Sequence, residues 1–316
     1  MTDLRARARG CLLGQFAGDS LGGLVEFRGP DSIRRAYPDG VRDLADGGTF
    51  NNIAGQVTDD SEMALAMARS VVRLGRYDVE AVREAYVRWM NSGPFDIGGT
   101  TRRGLSGAPD HRSQANGALM RASPLGIIGA GMGADAAASL AADDAMITHP
   151  NPICVQVNRL FVTAIADAVA KGLTPAGVYD RIVARAQKDG VDQSVMQTIL
   201  DAATDRPRDY LTNAGWVLVA FQNALWQLLH APNLEEGIVD SIMQGGDTDT
   251  NACICGALLG AVHGDVQVPA RWVAAIESCR PEPGRPGVHH PRPAEYWPND
   301  VLSLADALVA LSPAAR

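Results

Sequence analysis

The chain has 316 residues, of which 46% are hydrophobic and 20% charged, and it carries a formal net charge of −8. That length allows one large domain or two ordinary ones, with a core that needs no disulfide or structural metal to support it. The acidic balance and the lack of a long basic run make nucleic acid and anionic membranes poor partners, so an anionic ligand has to be met locally, by loops, helix N-termini or single arginines.

Cys11, Cys154, Cys253, Cys255 and Cys279 are odd in number and scattered. Cys253 and Cys255 lack zinc-ribbon spacing, and all five read as reduced thiols buried as small hydrophobes. The first residues hold no apolar signal core, and no apolar stretch is expected to reach the ~20 residues of a membrane span, so the chain reads as cytoplasmic.

Periodicity predicts helices almost throughout. Leu4, Ala8, Cys11, Leu12 and Phe16 share a helical face, with Thr2 as N-cap. Two long loops, Gly29 to Val57 and Gly93 to Ser123, read as functional or disordered segments. Between them Met63, Met67, Val71 and Leu74 continue a helix after Thr58-Asp59-Asp60, and Val79 to Met90 forms another. Ala134 to Ala142 reads as a short helix, followed by Val155 to Ala170, Pro175 to Gln187 and Gln193 to Ala203. Trp216 to Leu229 and Ala252 to Val262 are apolar on nearly all faces, the pattern of buried helices. Gly256 and Gly260 within the latter permit close helix packing, at roughly 1 kcal/mol of propensity each. Arg280 to Asp300, rich in proline, is expected to wrap the surface before a last helix from Val301 to Leu311. Strand signals are scarce, and the expected fold is all-α.

Two acidic clusters stand at helix starts. Thr58-Asp59-Asp60 alone reads as a cap with acidic residues suited to the helix dipole. Gly245-Gly246-Asp247-Thr248-Asp249-Thr250-Asn251 precedes a buried helix, and a cap needs one such side chain, not four. If the clusters converge, four carboxylates meet, with Glu26 as a fifth. Two like charges ~4 Å apart repel by ~4 kcal/mol at an effective dielectric near 20. Such a group calls for cations, and oxygen-only ligands select Mg²⁺ or Mn²⁺. Two divalent ions match the charge, which points to a two-metal hydrolase site.

Eight segments carry a resemblance. They are Gly14-Gln15-Phe16-Ala17-Gly18-Asp19-Ser20-Leu21-Gly22, Glu26-Phe27, Thr58-Asp59-Asp60-Ser61, Asp96-Ile97-Gly98-Gly99-Thr100-Thr101-Arg102, Asn116-Gly117-Ala118-Leu119-Met120-Arg121-Ala122-Ser123-Pro124, Thr148-His149-Pro150, Ala224-Leu225-Trp226 and Gly245 to Ala252. In this order, over nearly the whole chain, they resemble the ADP-ribosylglycohydrolases. The resemblance implies one all-α domain over residues 1–316, a compact orthogonal helical bundle with a central two-metal cleft. It implies that Thr58, Asp59, Asp60, Asp247, Asp249 and Thr250 hold two Mg²⁺ or Mn²⁺ ions, with Glu26 a mobile acidic residue nearby. The implied reaction is hydrolysis of the bond between C1″ of ADP-ribose and an acceptor side chain. The substrate would be an ADP-ribosylated protein or a small ADP-ribose conjugate, and a monomer is the expected unit.

That chemistry suits the residues. Glycosidic cleavage passes through an oxocarbenium-like state that carboxylates stabilise, and a metal activates water. Asp60 or Glu26 could act as general base; Asp60 is preferred because Glu26 sits in what reads as a movable loop. Asn116, Gly117, Ala118, Leu119 and Met120 resemble the family's diphosphate loop, small residues with exposed N–H groups. Arg121 pairs either with the ligand or with a structural carboxylate. Asp96, ahead of Gly98, lies where the family would place the guanidinium of a modified arginine, which a carboxylate can pair bidentately. The resemblance puts His149 beside the ribose or phosphate, although a lone His is commonly structural. The chain departs from the family with Asn151 where an aromatic or His is frequent, and with Cys253 and Cys255 where Ala or Gly is expected.

Three other signals are weighed and set aside. Gly129 to Ala134 matches the dinucleotide fingerprint formally, without its βαβ context. Asp247-Thr248-Asp249 resembles a phosphatase Asp pair, but Ile238 to Gln244 reads as helix rather than strand. His289-His290 lies in the proline-rich stretch and is expected to face solvent. The competing functions are a metal-dependent nucleotide phosphohydrolase and a non-catalytic ADP-ribose-binding relative.

Overall fold

The computed structural model describes residues 3–315. In chain order the helices are α1 (Leu4–Gly22), α2 (Pro30–Ala36), α3 (Asp59–Leu74), α4 (Val79–Asn91), α5 (Gly99–Leu105), α6 (Ser123–Ile128), α7 (Ala134–Thr148), α8 (Pro152–Lys171), α9 (Pro175–Asp189), α10 (Gln193–Asp201), α11 (Val217–His230), α12 (Leu234–Met243), α13 (Thr248–His263), α14 (Ala270–Ser278) and α15 (Val301–Leu311). No strand occurs among the described residues, only isolated bridges between Gly47 and Asn52 and between Ala115 and Trp216. The long helices contribute to one continuous apolar core.

Local chemistry explains most boundaries. The carboxylate of Asp3 accepts from the Arg5 N–H at 3.1 Å and caps α1; Thr2, the expected cap, lies outside the described residues. Asp78, Asn151, Thr174, Asp192 and Asn233 cap α4, α8, α9, α10 and α12 with their side chains. Asn151 also donates to the His111 carbonyl at 2.9 Å, so this departure from the family pattern is a cap that ties down a loop. The expected long loops hold the short helices α2 and α5, and α6 and α14 were not marked by the periodicity.

α7 runs six residues beyond its expected end. Asp143-Asp144 interrupts the apolar pattern there, yet Asp144 is buried and accepts from Arg121 Nε at 3.0 Å and from Tyr86 Oη at 2.8 Å. The pair of Arg121 and Asp144 is wholly buried, so Arg121 braces the fold rather than facing a ligand. α8 is long and apolar enough to cross a membrane by length and composition, against expectation, but 67% of its apolar window is buried inside the fold. Its hydrophobicity is that of a core helix that carries Asn158, Arg159 and Asp167 among its apolar residues.

α1 and α13 make the most extensive helix contact among the described residues. They run antiparallel, backbone against backbone. A Cβ on Gly10 would stand 2.5 Å from the Gly260 carbonyl oxygen, one on Gly14 2.1 Å from that of Gly256, and one on Gly18 2.2 Å from that of Ala252. A Cβ on Gly22 would meet Asp249 Cα at 2.4 Å. The glycines of α1 recur every four residues, which keeps them on one face.

The stretch from Arg280 to Asp300 is irregular apart from one 3-10 turn at Ala294–Tyr296. Arg292 fastens it: Nε and Nη2 each donate to the Glu62 carboxylate at 2.8 Å, and Trp89 Nε1 donates to the same group at 2.7 Å. Glu62 lies in the first turn of α3, so this C-terminal strap is pinned beside Thr58-Asp59-Asp60. His289 is exposed, but His290 is half-buried with its ring 4.9 Å from that of Phe95.

The glycine contact gives a direct test. Gly256→Ala places a methyl 2.0 Å from the Gly14 carbonyl oxygen. The helices must separate, and the expected loss is at least about 1–3 kcal/mol in urea unfolding. An unchanged midpoint would show that the contact is not tight.

Candidate active site

Both acidic clusters sit at helix N-termini, yet neither caps its helix. Thr58 occupies the N-cap of α3 without a side-chain bond to the backbone, and Asp247 does the same at α13. For α3 the capping is done by Asp19 of α1, fully buried, whose carboxylate accepts from the Thr58 N–H at 3.0 Å and the Ser61 N–H at 3.1 Å. This frees Asp59 and Asp60 to face the cleft. Asp19 lies in the first of the resembling segments, and its role rests on this contact with a residue 39 positions away, which local sequence does not show.

At the other cluster, Gly245 and Gly246 hold φ of 77° and 78°. A Cβ on Gly246 would lie 2.1 Å from the Tyr210 carbonyl oxygen, so the turn accepts only glycine on both counts. Gly246 exchanges two backbone bonds with the segment after Glu26: the Phe27 N–H donates to its carbonyl at 2.8 Å, and its own N–H donates to that of Arg28 at 3.1 Å. Thr49 Oγ1 donates to the Glu26 carbonyl at 3.0 Å. Glu26 is 5% exposed. The segment expected to move is thus held on both sides.

The clusters converge. Thr250 Oγ1 donates to Asp60 Oδ1 at 3.1 Å, joining the two helix starts. Glu26, Asp247 and Asp249 bring one carboxylate oxygen each within 4.8 Å of one another. Asn116 Nδ2 donates to Asp247 at 2.7 Å, and the Gly98 N–H to Asp59 at 3.3 Å. A cavity of about 250 Å³ opens onto Glu26, Asp59, Asp60, Asp96, Gly98, Asn116, Gly117, Met120, His149, Asp247, Asp249 and Thr250. Thr58 is buried just behind it. Ala118 and Leu119 are also buried and do not line it; Leu119 packs into the core.

Several polar atoms have no partner. Glu26 Oε2, Thr58 Oγ1, Asp60 Oδ2 and His149 Nε2 are buried without a hydrogen bond. In the loop after Asn116, the Leu119 and Met120 N–H groups close a turn onto the Asn116 carbonyl at 2.7 and 3.2 Å. The N–H groups of Gly117 and Ala118 find no acceptor among the described residues. A side chain at position 117 would press on Thr101 Oγ1 and the His149 ring at 2.9 to 3.1 Å, so glycine leaves that space open.

Burial pushes every carboxylate of the site upward, and repulsion adds to it for Glu26, Asp59, Asp60, Asp247 and Asp249. Desolvation is the first cause for Asp19, raised to about 6, and for Glu26, raised to about 9 with Asp96 and Asp247 adding repulsion. Asp59, Asp60 and Asp249 are raised well above the ordinary range by desolvation and neighbouring carboxylates, and Asp96 and Asp247 are raised chiefly by desolvation. Among the described residues, no cationic side chain is a leading cause of these shifts. His149 is driven down to about 3, by burial first and by Arg121 second, so its ring is neutral. Its Nδ1 faces Thr148 Oγ1 at 2.7 Å, leaving Nε2 toward the cavity.

The donor set fits a hard cation: buried carboxylate and hydroxyl oxygens, some without partners, with uncompensated negative charge. Cys253, one turn into α13 from Asp249, gives its thiol to the Met120 carbonyl at 3.5 Å and serves packing. Two aromatic residues stand out whose position sequence patterning did not reveal. Trp216 was assigned to a buried helix, but it precedes α11 and is 37% exposed, its Nε1 donating to Gln114 at 2.8 Å. It borders a shallow depression shared with Ala115, Ala214 and Gly215 of the main cavity. Phe27 lines the cavity and is 70% exposed.

The raised carboxylates make a prediction for metal-free protein. A group whose folded pKa lies above its unfolded value stabilises the fold below the unfolded pKa, and that contribution is lost as pH rises through the folded one. For Asp19 and Glu26 the window runs from about 4 up to about 6 and about 9. In excess chelator, the urea midpoint should therefore fall steadily from pH 5 to pH 8. A midpoint that rises over that range would contradict the clustering.

Comparisons with known proteins show what this chain resembles as a whole. The family model described as ADP-ribosylglycohydrolase matches residues 1–315. The ADP-ribosyl-[dinitrogen reductase] glycohydrolase of Rhodospirillum rubrum is 28% identical over 291 residues, covering 86% of this chain and 90% of the relative. The ADP-ribosylarginine hydrolase Tri1 of Serratia proteamaculans (strain 568) is 27% identical over 288 residues, 84% of this chain and 74% of the relative. The ADP-ribosylhydrolase ARH3 of Xenopus tropicalis is 24% identical, with 87% and 92% covered. A solved ADP-ribosylglycohydrolase-related protein complex shares the fold, with a TM-score of 0.81 at 24% identity over 99% of this chain and all of that one. With its acidic clusters joined and the family model matched from end to end, the chain belongs to the ADP-ribosylglycohydrolase family.

Proposed function

We propose that the protein hydrolyses the glycosidic bond between C1″ of ADP-ribose and an acceptor side chain, with arginine as the favoured acceptor. The observation that carries this reading is the convergence of buried, cation-free carboxylates and partnerless oxygens on one cavity in a chain of this family. Thr58, Asp59, Asp60, Asp247, Asp249 and Thr250 would hold two divalent ions, Mg²⁺ or Mn²⁺. Bound there, the ions would supply charge stabilisation and water activation.

The chain's own groups divide the remaining work. The free N–H groups of Gly117 and Ala118 suit a diphosphate oxygen, as does the neutral His149 through Nε2. Asp96 is half-buried on the cavity wall without a cationic partner, the setting in which a carboxylate pairs a guanidinium. The name of Tri1, an ADP-ribosylarginine hydrolase, supports the same acceptor.

The general base is better assigned to Glu26 than to Asp60. Asp60 already accepts from Thr250 and lies between the two helix starts, where a cation would draw off its charge. Glu26, like Asp60, keeps one oxygen buried and unpartnered at the cavity, but it is not among the six residues assigned to the ions, which leaves it available to a proton.

A cleavage panel tests the reading. Arginine-, serine- and acetyl-linked ADP-ribose are offered with Mg²⁺ and with Mn²⁺. Free ADP-ribose from the arginine conjugate, abolished by chelator, is the expected result. Release of inorganic phosphate from nucleotides would favour a phosphohydrolase, and full activity in excess chelator would remove the metal assignment.

The base is tested separately. Glu26→Gln should lower kcat at least about a hundredfold, within the range ascribed to positioned acid–base groups. Retained turnover, with Asp60→Asn inactive, would return that role to Asp60.

A further inference from the structure

Phe27 combines two unfavourable features, a left-handed backbone and an exposed ring. Its backbone has φ of 62°, in the left-handed region; the other non-glycine residue there among the described residues is Asn51. Asn tolerates that region, whereas a bulky side chain crowds the neighbouring peptide. Its ring is also 70% exposed. The surrounding chain enforces this conformation, because the Phe27 N–H donates to the Gly246 carbonyl at 2.8 Å and the Arg28 N–H to the Val25 carbonyl at 3.1 Å, which fixes the peptides on both sides of Phe27. Strain held in place in this manner collects at functional positions.

The ring borders the same cavity as Glu26 and Asp96. A carboxylate without a cationic partner and an aromatic face on one wall system form the pair that recognises a planar cation. The carboxylate takes the edge N–H groups, and the ring covers the face.

We propose that Phe27 is a specificity-determining residue for the acceptor side of the cleft. Its ring covers the guanidinium whose edge is paired by Asp96, and so selects planar cationic acceptors over small neutral ones such as a serine hydroxyl. This rests on the arginine-linked reading above.

The test uses the full chain with its divalent metal and three variants. Phe27→Ala removes the ring and keeps the strain, Phe27→Gly removes both, and Phe27→Tyr keeps the ring. Phe27→Ala should raise KM for an ADP-ribosylarginine conjugate roughly two- to thirtyfold, the range of a cation–π contact. The effect should fall on KM rather than kcat, inhibition by free ADP-ribose should keep its strength, and Phe27→Tyr should restore KM. Phe27→Gly should unfold at a higher temperature than Phe27→Ala while sharing its raised KM. An unchanged KM in Phe27→Ala, with the wild-type chain cleaving the arginine conjugate, would overturn the assignment. So would an equal loss of ADP-ribose inhibition, which would place the ring on the nucleotide, or a collapse of kcat alone, which would make it a support for Glu26. A wild-type chain that cleaves only other linkages would instead sink the arginine reading, and this assignment with it.

Discussion

Backbone lies on backbone where α1 runs antiparallel to α13, because Gly10, Gly14 and Gly18 face Gly260, Gly256 and Ala252 with no room for a Cβ between them. The site inherits its geometry from this contact. At its end Gly22 abuts Asp249, which sets the second acidic cluster against α1. From the same helix Asp19 reaches across to the start of α3 and fixes the first cluster. One pair of helices in close contact thus positions both halves of a site drawn from opposite ends of the sequence.

The electrostatics follow from this rigidity. Isolated carboxylates in a loop would relax away from each other or into water. Here they are fixed on helix starts in the core, and the repulsion is retained as raised affinity for protons. The same retained repulsion is what a cation relieves, so the fold is poised to bind positive charge. The capping by Asp19 makes this possible, since the helix start is satisfied without using the side chains that face the cavity.

Much of this was legible in the sequence. The helical character, the final helix from Val301 to Leu311 and the buried nature of α13 followed from periodicity, and charge arithmetic gave the need for cations on the condition that the two clusters meet. What was not legible depends on tertiary contacts. The helix expected to end at Ala142 runs on through Asp144, whose buried partner Arg121 lies 23 residues away in the sequence. Trp216 looked like core because an apolar residue beside an apolar helix gives no sign of exposure. The glycine stripe of α1 was hidden, since its significance appears only when the facing glycines of α13 are known. Glu26 seemed to lie in a free loop because the bonds that restrain it come from Thr49 and Gly246.

The strap from Arg280 to Asp300 has a consequence in time rather than in space. Its Arg292 closes onto Glu62 beside the first cluster, and the second cluster stands at the start of α13, which closes onto α1, so the site is completed only by chain made well after α1 and α3. Contacts this distant in sequence form slowly, since a long loop must close before they are rewarded. A ribosome-bound chain with its first 240 or so residues exposed therefore carries Thr58-Asp59-Asp60 without the helix that completes it. A product truncated before α13 lacks the second acidic cluster, and the site with it.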